Sequence, residues 1–313
     1  MKIGYIFPGQ GTQFVGMGKD IYDNYEVARK VYNMIDSKLG ESIEEITFNS
    51  SEDFLNETKN TQIAIYSMSM AILEILKSNG IMPVAAAGLS LGEYSALTCA
   101  GVINIDDGAD IVRKRGIIMQ ELAPSGNWAM AAIIGLEDKM VEEACNKVNI
   151  GFVRAVNYNC PGQVVVSGEK EAVLMAMDIA KDMGARKVVE LKTAGPFHTE
   201  KLQLASEELK KELAKISFMP SNISVIKNIN GESYTENDDM VEILSKHVIS
   251  PVKFRKSIET MLEMGVDTFV EIGPGKTLSG FVKKVCKEKE MEAMILNIDD
   301  LKTLEEAIEK LKM

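Results

Sequence analysis

Three residue types in this chain could do chemistry together: a serine between glycines, two histidines and an arginine on an apolar segment. "GLSLG" at 88–92 places Ser90 between Gly88 and Gly92, after the apolar run "VAAA" and before a helical pattern. In that setting G-x-S-x-G describes a nucleophile elbow, where the glycines remove side chains that would collide in a sharp strand-to-helix turn. The N–H groups and partial positive charge of the helix start then face the reaction, and the Leu91 amide is the natural oxyanion donor. A plain turn could use the same residues, so the partner groups must decide. A serine nucleophile needs a base, and the 2 histidines make the search short. His198 sits in the loop "TAGPFHTEKL" and His247 at a helix end in "LSKHVISPV". A strand-to-loop position after Gly195 and Pro196 favours His198.

"FPGQG" at 7–11 has no GK[ST] after it and lacks the later glycine of a dinucleotide loop. It reads as a structural turn or as a loop that brings the Gln10 amide to an oxyanion. "GPGKT" at 273–277 fails as a phosphate loop because Val270 stands where glycine is required. Arg115 follows Ser90 by 25 residues. It reads either as a surface cation beside Arg113 and Lys114 or, with Gly116, Ile117 and Ile118 facing a core, as an inward guanidinium. A buried guanidinium needs a carboxylate partner, and a substrate could supply it.

These groups need a frame. "KIGYIF" reads as a strand buried on both faces, with helical patterns around 19–38 and 61–79, then the strand "VAAAG" and a helix from Leu91. Alternating strands and helices predict an α/β fold with a mostly parallel sheet. Between Asn127 and Lys192 the order becomes β-α-β-β-α-β, the ferredoxin-like motif, bounded by "APSGN" and "TAGP". The expected organisation is a large discontinuous domain, 1–124 and 193–313, with a small subdomain, 125–192, inserted in it. The β/α pattern resumes with "ISVIKNI", a helix around 238–247, "TFVEIG", "LSGFVKKVCK", "AMILNI" and a last helix.

Lys plus Arg total 35 against 46 Asp plus Glu, a net charge of −11, which argues against nucleic acid as a partner. The 4 cysteines are scattered without CxxC pairs or histidine partners, so neither a metal site nor a disulfide framework is expected. Unpaired thiols, a short N-terminal apolar run and the lack of an 18-residue apolar stretch point to a cytoplasmic chain with no membrane span.

The segments "FPGQGTQ" (7–13), "GLSLGEYSAL" (88–97), "RG" with "MQ" (115–120), "NYNCPGQVVVSG" (157–168), "GPFH" (195–198), "SPV" (250–252) and "EIGPG" (271–275) together resemble the malonyl-CoA:acyl carrier protein transacylases. The matches run in order over nearly the whole chain. The resemblance implies a hydrolase-like α/β domain with a ferredoxin-like insertion. It implies Ser90 as the acylated nucleophile, His198 as base, the amides of Gln10 and Leu91 as oxyanion hole, and Arg115 as holder of the malonyl carboxylate. Phe197, His247, Leu89 and Asn159 would support the pocket or the dyad. The reaction implied is ping-pong malonyl transfer to a carrier's phosphopantetheine thiol in fatty-acid biosynthesis, without cofactor or metal, by a monomer that docks an acidic carrier transiently. A serine esterase or thioesterase using the same Ser–His pair is the alternative. Arg186, Lys187 and Lys192, and Lys276, Lys283 and Lys284, are candidates for the docking surface, or are solvated lysines with no partner.

Two positions depart from the family pattern. Leu89 stands where a histidine is usual, which implies a tuned pocket. His247 stands where glutamine is usual; there the main-chain carbonyl orients the base, so a changed side chain should preserve the dyad. Phe197, before the histidine, implies malonyl over methylmalonyl, because a ring fills the space a branching methyl needs.

Overall fold

The computed structural model describes residues 1–192 and 195–312. Its first sheet is wholly parallel, in the order β7-β2-β1-β8-β9, from β1 (Ile3–Phe7), β2 (Ala85–Gly88), β7 (Ser224–Ile226), β8 (Thr268–Ile272) and β9 (Met294–Ile298). β1 and β2 are buried along their whole lengths, which is why they read as apolar runs without alternation. The second sheet, β4-β5-β3-β6, is antiparallel: β3 (Trp128–Ile134), β4 (Val153–Cys160), β5 (Gln163–Glu169) and β6 (Lys187–Glu190). That neighbour order, with one helix after β3 and one after β5, is the ferredoxin-like arrangement. The boundary expected at 192/193 touches Thr193 and Ala194, which lie outside the described residues.

The helices are α1 (Lys19–Asn24), α2 (Glu26–Leu39), α3 (Glu52–Asn56), α4 (Thr58–Ser78), α5 (Gly92–Cys99), α6 (Ile105–Glu121), α7 (Asp138–Asn146), α8 (Lys170–Asp182), α9 (Gln203–Leu213), α10 (Met240–His247), α11 (Phe254–Glu263), α12 (Thr277–Lys289) and α13 (Leu301–Lys312). The single helix expected around 19–38 is two. Tyr25 is extended between them, and the Arg29 guanidinium takes up the freed carbonyls of Tyr22 and Asp23. α9 and α11 were not anticipated, although α11 turns Phe254, Ile258, Met261 and Leu262 to the core at helical spacing.

Three features aim these elements at one place. α4 is buried nearly all round, so its polar residues Asn60, Thr61 and Gln62 are carried into the interior. α6 starts at Asn104, whose side chain caps the Asp107 amide, and packs along α4 with Arg115 on the buried side. The small sheet buries one face under α7 and α8, while Met130, Ala132, Val156 and Val165 on the other face join the main core. β4 is also stitched to 250–252, with Tyr158 N–H donating to the Val252 carbonyl at 2.9 Å and Val252 N–H to that of Val156 at 2.7 Å.

Candidate active site

The elbow is built by close approach. A Cβ on Gly88 would stand 1.8 Å from the Gly92 carbonyl carbon, and one on Gly92 would stand 2.1 Å from the Phe7 oxygen. No side chain fits at either position, so the chain reverses from β2 into α5 within a few residues. Ser90 is left at φ 53°, one of three non-glycine residues at positive φ among those described. His198, at φ 61°, is another. Such conformations cost of order 1–3 kcal/mol each and persist where the surroundings over-determine them.

The two strained residues meet. Ser90 Oγ lies 2.8 Å from His198 Nε2. On the other side of the ring, Nδ1 faces the main-chain carbonyls of His247 at 3.0 Å and Ser250 at 3.1 Å. Two acceptors there put the proton on Nδ1 and leave the Nε2 lone pair toward the serine hydroxyl. Burial, and then the Arg115 charge, lower the His198 pKa to about 4, so the imidazole is neutral near pH 7 and able to take a proton.

Arg115 is inside, 1% exposed. One Nη donates to Gln62 Oε1 at 2.7 Å and the other to Ser90 Oγ at 3.1 Å, while the buried Nε has no partner among the described residues. The Tyr94 ring lies beneath the guanidinium, 5.5 Å from its centroid. Burial lowers its pKa, but an arginine keeps its charge in proteins. The site therefore holds a fixed cation with a spare donor beside the nucleophile. By contrast, Arg113 pairs with Glu41, and Lys114 with Asp110 and Glu212.

These groups line a cavity of about 690 Å³ between the two sheets, with Gln10, Leu89, Leu91, Met119, Met130, Asn157 and Phe197 in its wall. The main-chain N–H groups of Gln10 and Leu91 make no hydrogen bond with any described residue, while the Gln10 side chain donates to Thr58 Oγ1 at 3.2 Å. Both are therefore free to serve an oxyanion at the start of α5. Phe197 is buried, its ring folded over Gly195 so closely that a Cβ there would stand 2.6 Å from the ring. Leu89 packs into the wall without a polar role. Asn159 does not reach the cavity: it is buried elsewhere with Oδ1 unpartnered, and Asn157 lines the wall instead. Register shifts at Ala155/Asn157 and Tyr158/Cys160 break the strand alternation that treats such neighbours alike.

His247 contributes its carbonyl. Its imidazole is fully buried with neither nitrogen hydrogen-bonded; Nδ1 is 3.3 Å from Glu93 Oε2, without hydrogen-bond geometry. Burial, then His198 and Arg115, hold its pKa well below the ordinary value. Gln62, Glu93, Asn228 and Ser250 were not foreseen. Gln62 left a signal, an amide opening a long helical run that is mostly apolar from Ile63 to Leu76. Ser250 acts through its main chain and could leave none. Among the described residues no cluster could hold a metal, and no helix is long and apolar enough to cross a membrane. Lys192 stands at the cavity rim, whereas Lys284 is tied to Gln163 on α12's side of the small sheet.

Comparison with known proteins agrees with this geometry. Residues 4–307 match the acyl transferase domain family. The malonyl CoA-acyl carrier protein transacylase of Bacillus subtilis (strain 168) is 41% identical over 99% of this chain and 98% of its own. The crystal structure of the protein of that name from Clostridium perfringens superposes with a TM-score of 0.94 at 45% identity, covering 100% of this chain and 98% of the other. A type II polyketide acyl-carrier protein in complex with its malonyl-transacylase gives 0.94 at 34% identity, covering 99% and 100%. The chain belongs to the acyl transferase family.

Proposed function

We propose that the chain transfers a malonyl group from malonyl-CoA to the phosphopantetheine thiol of an acyl carrier protein, through a malonyl ester on Ser90. The observation that carries this reading is Arg115, a buried cation 3.1 Å from Ser90 Oγ with an unpaired Nε. A planar guanidinium suits a carboxylate, and an acyl group that carries its own carboxylate is what such a pocket would accept. An esterase or thioesterase for uncharged acyl chains has no use for it.

Ser90 Oγ attacks the thioester carbon and its proton passes to His198 Nε2, while the carbonyls of His247 and Ser250 hold Nδ1–H in place. The Gln10 and Leu91 amides take the negative charge of the tetrahedral intermediate. As it collapses, the C–S bond breaks and the CoA sulfur takes the proton from Nε2. The carrier thiol then gives its proton to Nε2 and attacks the ester, and Ser90 recovers its hydrogen. The resident residues supply every proton transfer, so no cofactor is needed. We place carrier docking at the cavity mouth near Lys192, with residues 125–192 as the inserted unit.

Incubation with malonyl-CoA, followed by CoA release and intact mass, tests the reading. A malonyl adduct that disappears in Ser90→Ala and moves to added holo-carrier is expected. An adduct persisting in Ser90→Ala, or hydrolysis without transfer, would overturn it.

A further inference from the structure

Asn228 touches none of the reacting atoms and lies in a loop after β7, yet every polar atom it has is used to tie the site together. Its side-chain Oδ1 accepts from Ser90 N–H at 2.7 Å, and its Nδ2 donates to the Gly88 carbonyl at 2.6 Å. β2 pairs with β7 as far as Ala87 opposite Ile226. Past that point the elbow has left β7, while on its other edge Gly88 still pairs with Phe7 of β1 and Leu89 N–H donates to the Phe7 carbonyl at 3.0 Å. The carboxamide of Asn228 supplies, from one side chain, the acceptor and the donor that another strand residue would have offered.

Its main chain reaches the other half of the dyad. The Asn228 carbonyl accepts from Lys253 N–H at 2.7 Å, and Lys253 ends the segment whose Ser250 carbonyl holds His198 Nδ1. Its own N–H donates to Glu93 Oε2 at 3.3 Å, and Glu93 is fixed by Tyr234, whose hydroxyl donates to Oε1 at 2.5 Å. Asn228 is completely buried, so none of these bonds is exchanged for water.

We infer that Asn228 is a positioning residue that holds Ser90 in its positive-φ conformation and keeps nucleophile and base in register. Ser90 at φ 53° is not a shape the residue adopts unaided, and its N–H and the Gly88 carbonyl are the two groups that fix the peptides on either side of Leu89. A nucleophile displaced by about 1 Å loses on the order of 10²-fold in rate.

This inference rests on Ser90 being the acylated residue, so the experiment starts with the parent protein. A parent that forms no adduct with malonyl-CoA defeats the proposed function, whatever Asn228 does. Given an adduct, Asn228→Ala is expected to acylate about 10²-fold more slowly in a single turnover, with malonyl-CoA affinity within about threefold of the parent. Labelling of Ser90 by diisopropyl fluorophosphate, which does not use the malonyl pocket, should slow in parallel. Asn228→Asp keeps the shape if the alanine variant does not fold. It retains the acceptor for Ser90 N–H but sets an oxygen against the Gly88 carbonyl, and should acylate at least tenfold more slowly at pH 8. It should recover in part at pH 5.5, where a protonated carboxyl can donate again. Acylation and labelling within threefold of the parent, in whichever variant folds, would overturn the inference. So would a loss that lies entirely in substrate affinity.

Discussion

Replacing Arg115 with alanine separates the carboxylate-binding reading from every other use of the Ser–His pair. In the parent, the guanidinium is 1% exposed, one Nη donates to Ser90 Oγ at 3.1 Å, and Nε has no hydrogen-bond partner among the described residues. Charge-assisted hydrogen bonds contribute about 1.5–3 kcal/mol each, so two to a malonyl carboxylate are worth about 3–6 kcal/mol. Removing the cation leaves that carboxylate beside Met119, Met130 and Phe197, with Lys192 at the rim as the other cation of the lining. The expected loss in kcat/KM for malonyl-CoA is roughly 10²- to 10⁴-fold. Acetyl-CoA has no carboxylate and leaves the parent's arginine buried without a carboxylate partner, so its kcat/KM should hold or rise. The assay is release of CoA thiol with each ester, alongside intact mass of the acyl-enzyme. A second readout comes from His198. Protonation of its Nε2 removes the base, so acylation fails as pH falls through a pKa of about 4, and Arg115 is one cause of that low value. Without the cation the imidazolium is less disfavoured, and the acid limb should move up in pH. A malonyl-to-acetyl preference within threefold of the parent's, with the acid limb unmoved, would refute the role given to Arg115.

Two further outcomes follow from the cavity wall. Phe197→Ser should narrow the preference for malonyl-CoA over methylmalonyl-CoA by about tenfold or more, since one methyl group in a pocket decides about 1–3 kcal/mol; an unmoved kcat/KM ratio would show that the ring does not set the limit. His247→Gln keeps the carbonyl that orients His198 and removes a ring with no hydrogen bond, so kcat should stay within about threefold. A large fall would mean that the imidazole itself takes part.

How much of this was legible in the sequence follows from the range of each interaction. The elbow was readable because its cause is local: Gly88 and Gly92 exclude side chains from a turn only a few residues long. The β-α-β-β-α-β order was readable because periodicity is local as well, and the sheet order β4-β5-β3-β6 is its regular outcome. Arg115 could be singled out by its apolar neighbours but not assigned a direction, because a helix does not reveal which of its faces is covered until α4 lies against it. Asn159 was expected at the pocket and Asn157 is found there, because bulges in β4 depend on its partner strand.

The amino-acid sequence by itself determined which groups were available: a serine in a glycine turn, two histidines, a helix start and a cation in an apolar run. Tertiary structure alone decided that they meet. Ser90 and His198 are 108 residues apart, and Ser90 and Asn228 138, and nothing in the intervening sequence encodes a 2.8 Å or a 2.7 Å approach. The bonds that orient the base end on the carbonyls of His247 and Ser250, atoms every residue carries. A contact made through the main chain leaves no mark in side-chain identity: the His247 carbonyl was expected from the family resemblance, and the Ser250 carbonyl was disclosed only by the packing of distant segments.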